Sequence, residues 1–390
     1  MKFLHTSDWH IGRTINGFSL LEEQKYAFKQ ILSLAKEYEV DGIIIAGDLY
    51  DRAVPSADSV ITFNQMLRDM NIIEKFPIYA ISGNHDGAKR LNYAKEWLDF
   101  NQLHLRTSLE EAFIPIETEQ VQLFLLPFFD PMDARIYFSS QGLDEEKAKE
   151  IKTIDEAMTL VISEMQTHFD KNKKQILVTH FAVSPHKEEI NLTSETTSKV
   201  GGLATLNVIQ FKAFNYVALG HIHTRFASPS EKVQYSGSPV KFNTKEAKTQ
   251  KGVFIVETQQ DSVSSEFIPL QIQTDLVVIE EEWDTLISRE FYENQPIHQA
   301  WFAITIKNFD RAKLAGQNLR AQLQKVYGTI VELDYKFKNI SSVKSKTQNI
   351  ESLDNIGILS NFYEVTTGET LSGLQQEIIE NTFKQIEGEK

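Results

Sequence analysis

The stretch "IYAISGNHDGAKR" (78–90) ends an apolar, strand-like run with a cluster of polar side chains. The run stops at Gly83, and three polar residues follow at once: Asn84, His85 and Asp86. Polar groups placed against a hydrophobic core cost free energy unless partners satisfy them. The stretch therefore predicts a site where other polar groups of the chain meet these three.

Several other apolar runs in the chain have the length and composition of buried strands. They are predicted at 2–7, 42–47, 77–82, 121–127, 175–180 and 216–221. Stretches with helical periodicity separate them, of which 20–38 and 56–70 are examples. Strands that alternate with helices indicate an α/β fold with mainly parallel strands, in one sheet or two.

Asp, Asn and His recur where these predicted strands end. The residues are Asp8 and His10, Asp48 and Asp51, Asn84 and His85, His180, and His221 and His223. Ligands of open α/β sheets bind beyond the carboxyl ends of the strands. We therefore expect these side chains to meet at one edge of the sheet system.

The donor types in this set predict a metal centre. Imidazole and carboxylate suit Mn, Fe, Zn or Co, and the chain has no cysteine that would supply a thiolate. Seven donors exceed what one ion needs and suit two ions about 3.5–4 Å apart that share a carboxylate. The predicted ligands are Asp8, His10, Asp48, Asn84, His180, His221 and His223. Such a pair of ions is suited to in-line displacement at phosphorus.

The net charge of the 390-residue chain is −14, which by itself argues against nucleic-acid binding. Among the seven predicted ligands, however, only Asp8 and Asp48 are anionic. Two divalent ions would therefore leave the centre positive, and a phosphodiester would be attracted to the metals themselves.

Composition places the chain among folded globular proteins, with 41% hydrophobic and 24% charged residues. The opening "MKFLHTSDWH" becomes polar by His5, so no secretory signal is predicted. No apolar run approaches the ~18 residues of a membrane span. Since cysteine is absent, a reducing cytoplasm is the expected compartment.

Changes in sequence texture predict three parts of the chain. They are 1–260, 267–338 with strands and a helix over 311–327, and a helical segment over 349–387. The polar stretch 259–265 is predicted to link the first two parts, and 339–348 the last two.

Five motifs in order, D-x-H, G-D-x-x-D, G-N-H-D, a single H and G-H-x-H, resemble the calcineurin-like metallophosphoesterase superfamily. The sequences that flank these motifs are similar to those of the SbcD family of nuclease subunits. The similar stretches are "KFLHTSDWHIGR", "AGDLYDRAVPS", "SGNHDGAKRL" and "YVALGHIH". The resemblance implies an α/β metallophosphoesterase β-sandwich flanked by helices. It also implies that 267–338 is a small α+β domain that caps DNA, and that 349–387 binds a partner.

The resemblance implies a role for each predicted site residue. One metal would be held by Asp8, His10, Asp48 and His223, and the other by Asp48, Asn84, His180 and His221. The ions are expected to be Mn²⁺. His85 matches the catalytic histidine that protonates the leaving oxygen or steadies the transition state, and Asp51 is one candidate partner for it.

The resemblance further implies a DNA nuclease that works with a partner. It would be a double-strand exonuclease and a single-strand and hairpin endonuclease, acting in DNA break and hairpin processing at the bacterial nucleoid. The expected assembly is a homodimer, joined into a heterotetramer by an SbcC-like ABC ATPase with coiled coils. From Ser341 onward four basic residues face eight acidic ones, which favours a protein partner over DNA for that end.

Two further sets of residues are assigned by this comparison. A dimer face is expected from Val60, Phe63, Leu67 and Met70, together with Trp97 and Leu98. DNA backbone contacts are expected from Arg13, Arg52, Lys89 and Arg90. The stretch 225–251, with six Lys/Arg against two Glu, is a candidate DNA path.

Two alternatives remain open at this point. The same ligands would serve another dinuclear metallophosphoesterase, such as a phosphatase or a cyclic-nucleotide phosphodiesterase, although such an enzyme needs neither of the parts after residue 260. A scaffold that only binds partners is the second alternative, and it predicts lost ligands, whereas all seven are present.

Overall fold

A computed structural model of the chain describes residues 1–184, 205–260, 262–310, 314, 316–337, 355–367 and 370–388. Its strands are β1 (Lys2–Thr6), β2 (Thr14–Ile15), β3 (Phe18–Ser19), β4 (Gly42–Ala46), β5 (Ile78–Ile81), β6 (Leu103–Arg106), β7 (Ile116–Glu117), β8 (Val121–Leu126), β9 (Lys174–His180), β10 (Val183–Ser184), β11 (Leu206–Asn207), β12 (Tyr216–Gly220), β13 (Val233–Tyr235), β14 (Gly252–Thr258), β15 (Val263–Pro269), β16 (Asp275–Glu282), β17 (Ala300–Phe309) and β18 (Thr329–Phe337).

Its helices are α1 (Leu21–Glu37), α2 (Ala57–Leu67), α3 (Ala88–Leu91), α4 (Lys95–Phe100), α5 (Pro131–Ser140), α6 (Glu145–Glu150), α7 (Ile154–Thr167), α8 (Trp283–Leu286), α9 (Arg289–Tyr292), α10 (Leu319–Tyr327), α11 (Asn355–Thr367) and α12 (Gly373–Gly388). Among the described residues, no helix combines the length and apolarity needed to cross a bilayer.

The first sheet has six strands in the spatial order β15–β14–β1–β4–β5–β6. Strands β1, β4, β5 and β6 run parallel. On the other side of β1, β14 pairs antiparallel with β1, and β15 pairs antiparallel with β14. Every residue of β4 is buried, as expected for a central parallel strand that is covered on both faces.

The second sheet has the order β13–β12–β9–β8–β7 and is parallel except for β7. Its inner face packs on the first sheet through apolar side chains such as Ile44, Tyr79, Leu123, Ile176 and Ala218. Helices α1 and α2 cover the outer face of the first sheet, and α7 covers that of the second. The expected β-sandwich flanked by helices is confirmed.

The third sheet is a small one, with β16, β17 and β18 in parallel. Its helices α8, α9 and α10 lie between the strands along the chain, so the small α+β unit of the sequence analysis has β-α-β connections. Leu276, Ala303 and Val331 on this sheet belong to the apolar cluster that also covers the first sheet.

The predicted link over 259–265 is wrong. β15 pairs along its whole length with β14, from Thr258↔Val263 to Gly252↔Pro269. Residues 263–267 alternate between half-buried and exposed positions, which suits an edge strand, and the polar residues on its exposed side are what makes the stretch resemble a linker in the sequence. The strand-like "FIPL" (267–270) therefore continues this edge of the first sheet.

Two other predictions concern segments near the carboxyl end. Of the helix predicted over 311–327, the structure has α10, which begins after Asn318, whose side chain accepts a hydrogen bond from the Ala321 N–H. The linker predicted at 339–348 lies outside the described residues.

The predicted dimer face is partly wrong. Phe63 and Met70 are 3% and 0% exposed, because they pack into the core around Trp9 and α1. Val60 and Trp97 of the predicted face are exposed. Further exposed apolar residues of this region are Val54, Ile61, Ile72, Ile73, Tyr93 and Phe100.

Candidate metal centre

The carboxyl ends of five strands from two sheets meet at one edge of the sandwich. Strands β1, β4 and β5 of the first sheet lead to the Asp8, Asp48 and Asn84 loops. Strand β9 ends at His180, which pairs with Gly220 at the end of β12. Main-chain bonds tie the first two loops together, since the Asp8 N–H donates to the Gly47 carbonyl at 3.1 Å.

The loops turn sharply as they leave the strands. Asp8, His10, Asp48 and His221 all have positive φ, between 43° and 93°. Such backbone is rare for residues other than glycine and concentrates at functional sites. The turns direct polar side chains back over the strand ends.

Glycine precedes three of the predicted ligands because the loops pass so close to one another. A Cβ at Gly83 would overlap the Asp48 carboxylate, and one at Gly220 would overlap the Ala46 carbonyl and the His180 ring. Any side chain at these positions would push the loops apart. The glycines of "GN" and "GH" are therefore a packing requirement of the site.

One group of donors forms around His223. Its Nε2 lies 3.2 Å from Nε2 of His10 and 3.9 Å from Oδ1 of Asp8. All three residues are buried, and their donor atoms lie within the 4.8 Å of one another that a single metal ion can span.

A second group of donors forms around Asp48. Asp48 lies between this group and the one around His223. Its Oδ2 is 3.3 Å from Nε2 of His10 and 3.2 Å from Nε2 of His180. Oδ1 of Asn84 is 3.1 Å from Nε2 of His180 and 3.0 Å from Nδ1 of His221. The structure thus brings all seven predicted ligands together, with Asp48 in the position of a shared carboxylate. Their roles as ligands stay predictions.

The donor chemistry of this site fits a cation. Nδ1 of His180 contacts the Ala46 carbonyl at 2.8 Å and must donate to it, since a carbonyl only accepts. Nε2 of His180 therefore faces the oxygens of Asp48 and Asn84, which attract positive charge. Burial lowers the pKa of His180, but the Asp48 carboxylate, Asp8 and the Ala46 carbonyl together raise it, to about 9.

The two carboxylates of the site respond differently to their surroundings. Burial raises the pKa of Asp48, but His180 and His10 outweigh it and hold that pKa well below its usual value. Burial raises the pKa of Asp8, and the nearby His180 and His223 only partly offset this. Ser7 donates a 2.5 Å hydrogen bond to Oδ2 of Asp8, and His221 donates its N–H to Oδ1 at 2.9 Å.

His85 lies beside this group with its ring 4.7 Å from that of His10. Its main-chain N–H donates to Oδ1 of Asp48 at 2.9 Å, so one anchor of the residue is independent of its side chain. Its Nδ1 donates to the main-chain carbonyl of Asp51 at 2.9 Å. Nε2 is then the ring nitrogen that can exchange a proton with a substrate.

The predicted pairing of His85 with the Asp51 side chain is therefore corrected. The contact is to the Asp51 carbonyl, while the carboxylate bonds Arg13 at 3.1 Å and Arg52 at 3.3 Å. The carboxylate nevertheless stays close to both rings, within 4.8 Å of a His85 ring nitrogen and 4.0 Å from His10 Nδ1.

Two residues that support the site were missed as such in the sequence. Asp86 is buried and accepts from the N–H groups of Leu49, Tyr50 and Gly83 at 2.9–3.0 Å. Burial, with Asp48 nearby, raises the pKa of Asp86 to about 7. The position of Asp86 in the "GNHD" motif is the sequence feature that could have identified it as a site residue.

The second is Gln24 on α1, whose amide donates to the carbonyls of Trp9 and His10 at 2.9 and 2.7 Å. Its Oε1 accepts from the Gly12 N–H at 3.1 Å. No motif in the sequence marks Gln24, because the contact joins a helix to a loop that precedes it.

Two of the six basic residues in the predicted DNA path over 225–251 are held in ion pairs. Lys251 is buried and lies 2.6 Å from Glu246, while Lys241 lies 2.6 Å from Asp275. Glu246 in turn contacts Nδ1 of His223 at 3.3 Å. Burial would raise the pKa of Glu246, but Lys251 and His223 lower it to about 2.

The chain is similar to known proteins, to one family over its first 225 residues and to one relative over nearly its full length. Residues 1–225 match the family described as calcineurin-like phosphoesterase. The chain is 33% identical over 392 aligned positions to the SbcD subunit of the SbcCD nuclease of Staphylococcus epidermidis, with 99% of each protein covered. A crystal structure of TT1561 from Thermus thermophilus covers 68% of this chain and 98% of its own, at 12% identity and a TM-score of 0.37. So low a TM-score adds nothing to the assignment.

Proposed function

This chain belongs to the calcineurin-like phosphoesterase family, and on that premise we propose that it is a metal-dependent DNA nuclease. The proposed activities are exonuclease on double strands and endonuclease on single strands and hairpins. The observation that carries the proposal is the convergence of seven N and O donors with His85 at one sheet edge. The similarity to a subunit of the SbcCD nuclease, which extends beyond residue 225 to nearly the whole chain, supports DNA as the substrate.

Two divalent ions, expected to be Mn²⁺, would be held by the residues proposed above, and Asp48 would be shared between them. When bound, such ions neutralise the phosphodiester and lower the pKa of the attacking water. The water oxygen bonds to phosphorus as the bond to the sugar oxygen breaks in line. His85 acts here in its doubly protonated form: it gives the Nε2 proton to that departing oxygen, while its Nδ1–H bond to Asp51 keeps the ring oriented. The proton lost by the attacking water passes to solvent, from which Nε2 is protonated again.

DNA backbone contacts are proposed for the basic residues around the centre. Arg13 is half-buried and held by Asp51. Arg52, Lys89 and Arg90 extend the set on the loops that follow the ligand motifs. Each phosphate they contact would make DNA affinity more sensitive to salt.

A substrate comparison tests the nuclease proposal. We expect the purified chain with Mn²⁺ to degrade linear duplex DNA and to turn over a phosphomonoester far more slowly. Asp48→Asn serves as the inactive control, because it removes the shared carboxylate. Fast phosphomonoester turnover with intact DNA would instead favour the alternative, a phosphatase or cyclic-nucleotide phosphodiesterase.

We also propose an SbcC-like ABC ATPase with coiled coils as partner, bound by the segment 349–387. Within its described part, α11 and α12 expose Ile358, Phe362, Leu374 and Ile378. Exposed apolar side chains grouped on two helices suit a protein partner. The work of the complex would be DNA break and hairpin processing at the nucleoid, in the cytoplasm.

A homodimer is proposed through the exposed apolar residues of α2 and α4. Its exposed apolar residues are Val60 and Ile61 on α2 and Trp97 and Phe100 on α4. With the ATPase the assembly would be a heterotetramer. Trp97→Glu should yield a monomer in light scattering of the isolated chain, whereas an unchanged mass would reject this surface.

A further inference from the structure

The loop between β13 and β14 carries a buried ion pair that the mechanism above does not use. Glu246 and Lys251 are each 2% exposed, although both are charged residue types that are rarely buried. A buried ion pair is weak evidence for stability, because desolvation offsets the attraction between the charges. Its contacts indicate another role.

Both oxygens of Glu246 are occupied. Oε1 lies 3.3 Å from Nδ1 of His223 and accepts from the Asn243 amide at 2.7 Å. Oε2 accepts from Nζ of Lys251 at 2.6 Å and from the Phe242 N–H at 3.2 Å. The carboxylate is therefore fixed from two sides, and one of its oxygens faces the His223 ring.

Lys251 holds the same histidine by its backbone. Its Nζ donates to the His223 carbonyl at 2.9 Å and to Oγ of Ser238 at 2.7 Å, in addition to Glu246. One ion pair thus contacts both the ring and the main chain of His223.

A carboxylate accepts hydrogen bonds, so Nδ1 of His223 is the ring nitrogen that donates to Glu246. Nε2 is then directed at His10 and Asp8, the two neighbours at 3.2 and 3.9 Å. We propose that Glu246 is a positioning residue that fixes His223 with Nε2 towards the metal, and that Lys251 fixes Glu246. This inference rests on the metal dependence of the proposed function.

Metal titration without DNA tests the proposal directly. Mn²⁺ is titrated by calorimetry into the metal-stripped full-length chain and into a variant with both Glu246→Gln and Lys251→Met. The double exchange preserves side-chain size and leaves no unpaired buried charge. We expect one of the two sites to bind about 10- to 100-fold more weakly, the usual effect of losing such a partner.

Lys241→Met is the matched control, because Lys241 lies in the same loop and contacts Asp275 and Ala247. It should bind Mn²⁺ as the unaltered chain does. If the double variant does not fold, the same Mn²⁺ titration is carried out on Glu246→Gln alone. This single exchange retains the volume of the side chain. Unchanged affinity at both sites in the variant that folds would overturn the proposal.

A double-mutant cycle separates positioning from a general effect on the fold. In a His223→Ala background the exchange at Glu246 and Lys251 should cause no further loss of Mn²⁺ affinity, since its target is gone. An additive loss would overturn the proposal. A chain that binds Mn²⁺ as expected yet leaves DNA uncut would contradict the nuclease function, and the titrations would still support the positioning of His223.

Discussion

His85 contacts the candidate centre in two ways that a substitution can separate. Its main-chain N–H bonds Asp48, and its ring bonds the Asp51 carbonyl beside His10. The first contact supports a proposed metal ligand, and the second orients the proposed proton donor. Only the second depends on the identity of the side chain.

His85→Ala should therefore reduce DNA cleavage by about 10²- to 10⁴-fold, the usual contribution of a general acid. Bound metal, measured by elemental analysis after gel filtration, should stay near the level of the unaltered chain. Asn84→Ala is the control that should lose metal, because Asn84 contributes a donor oxygen. Loss of metal from His85→Ala would contradict the assigned role.

His5 is a second residue whose chemistry is set by burial. It lies on β1 between the sheets, where its ring contacts the Tyr216 hydroxyl at 3.0 Å and the Leu219 carbonyl at 3.3 Å. Burial lowers its pKa to about 3, although the bond to Leu219 acts in the opposite direction. The folded protein therefore keeps His5 neutral in mildly acidic solution.

This shift predicts a loss of stability in acid. Between about pH 6.5 and pH 3 the unfolded chain binds a proton at His5 that the folded chain does not bind, so stability falls as the pH falls. The contribution is about 1.4 kcal/mol per pH unit, or about 2 kcal/mol between pH 6 and 4.5. Urea unfolding of His5→Gln and the unaltered chain at both pH values should show this difference, and parallel pH dependences would refute it.

At the scale of elements, the site depends on loops that leave neighbouring strands. Asp86 joins the loop after β5 to the loop after β4, through the N–H groups of Gly83, Leu49 and Tyr50. Three buried donors depend on one carboxylate. The register of the two parallel strands places these loops side by side.

Asp86→Ala should therefore lower the free energy of unfolding by several kcal/mol, because each buried unsatisfied donor costs about 1–3 kcal/mol. The measurement is urea unfolding of the metal-stripped chain. Asp69→Ala is the control, since its exposed pair with Arg68 at 3.3 Å contributes under about 1 kcal/mol. Equal effects of the two changes would show that Asp86 does not clamp the loops.

At the scale of the whole molecule, the α/β sandwich, the small parallel sheet and the terminal helices have separate proposed tasks. The sandwich carries every proposed metal ligand, and its apolar cluster includes residues of the small sheet. The α11 and α12 helices expose apolar side chains, and the chain from Ser341 onward is acidic. This separation of tasks predicts that the segment 349–387 can be removed without loss of the candidate metal centre.

A chain ending at residue 340 should keep Mn²⁺-dependent nuclease activity and lose binding to the ATPase. Activity is measured on linear duplex DNA, and binding by co-elution of purified proteins. The single substitution Leu374→Asp in the full chain should weaken binding to the ATPase and leave the nuclease activity unchanged. Intact binding by the shortened chain would reject the assignment of 349–387.

The sequence by itself determined the kinds of donor, their order and their places at strand ends. These properties follow from local periodicity, because an apolar run of a few residues marks a buried strand and its end marks the sheet edge. The metallophosphoesterase sandwich was predictable on the same ground, with the motifs added. Asp8, Asp48 and His180 needed no tertiary information to be singled out.

Only the tertiary structure decided which atoms meet. It turned His85 to the Asp51 carbonyl, brought Glu246 to His223, buried Phe63 and paired residues 263–269 with β14. Such contacts join elements that are distant in the chain or depend on which of several faces is covered. Local pattern sets the face that a residue presents, whereas the packing of sheets, helices and loops sets what lies against it.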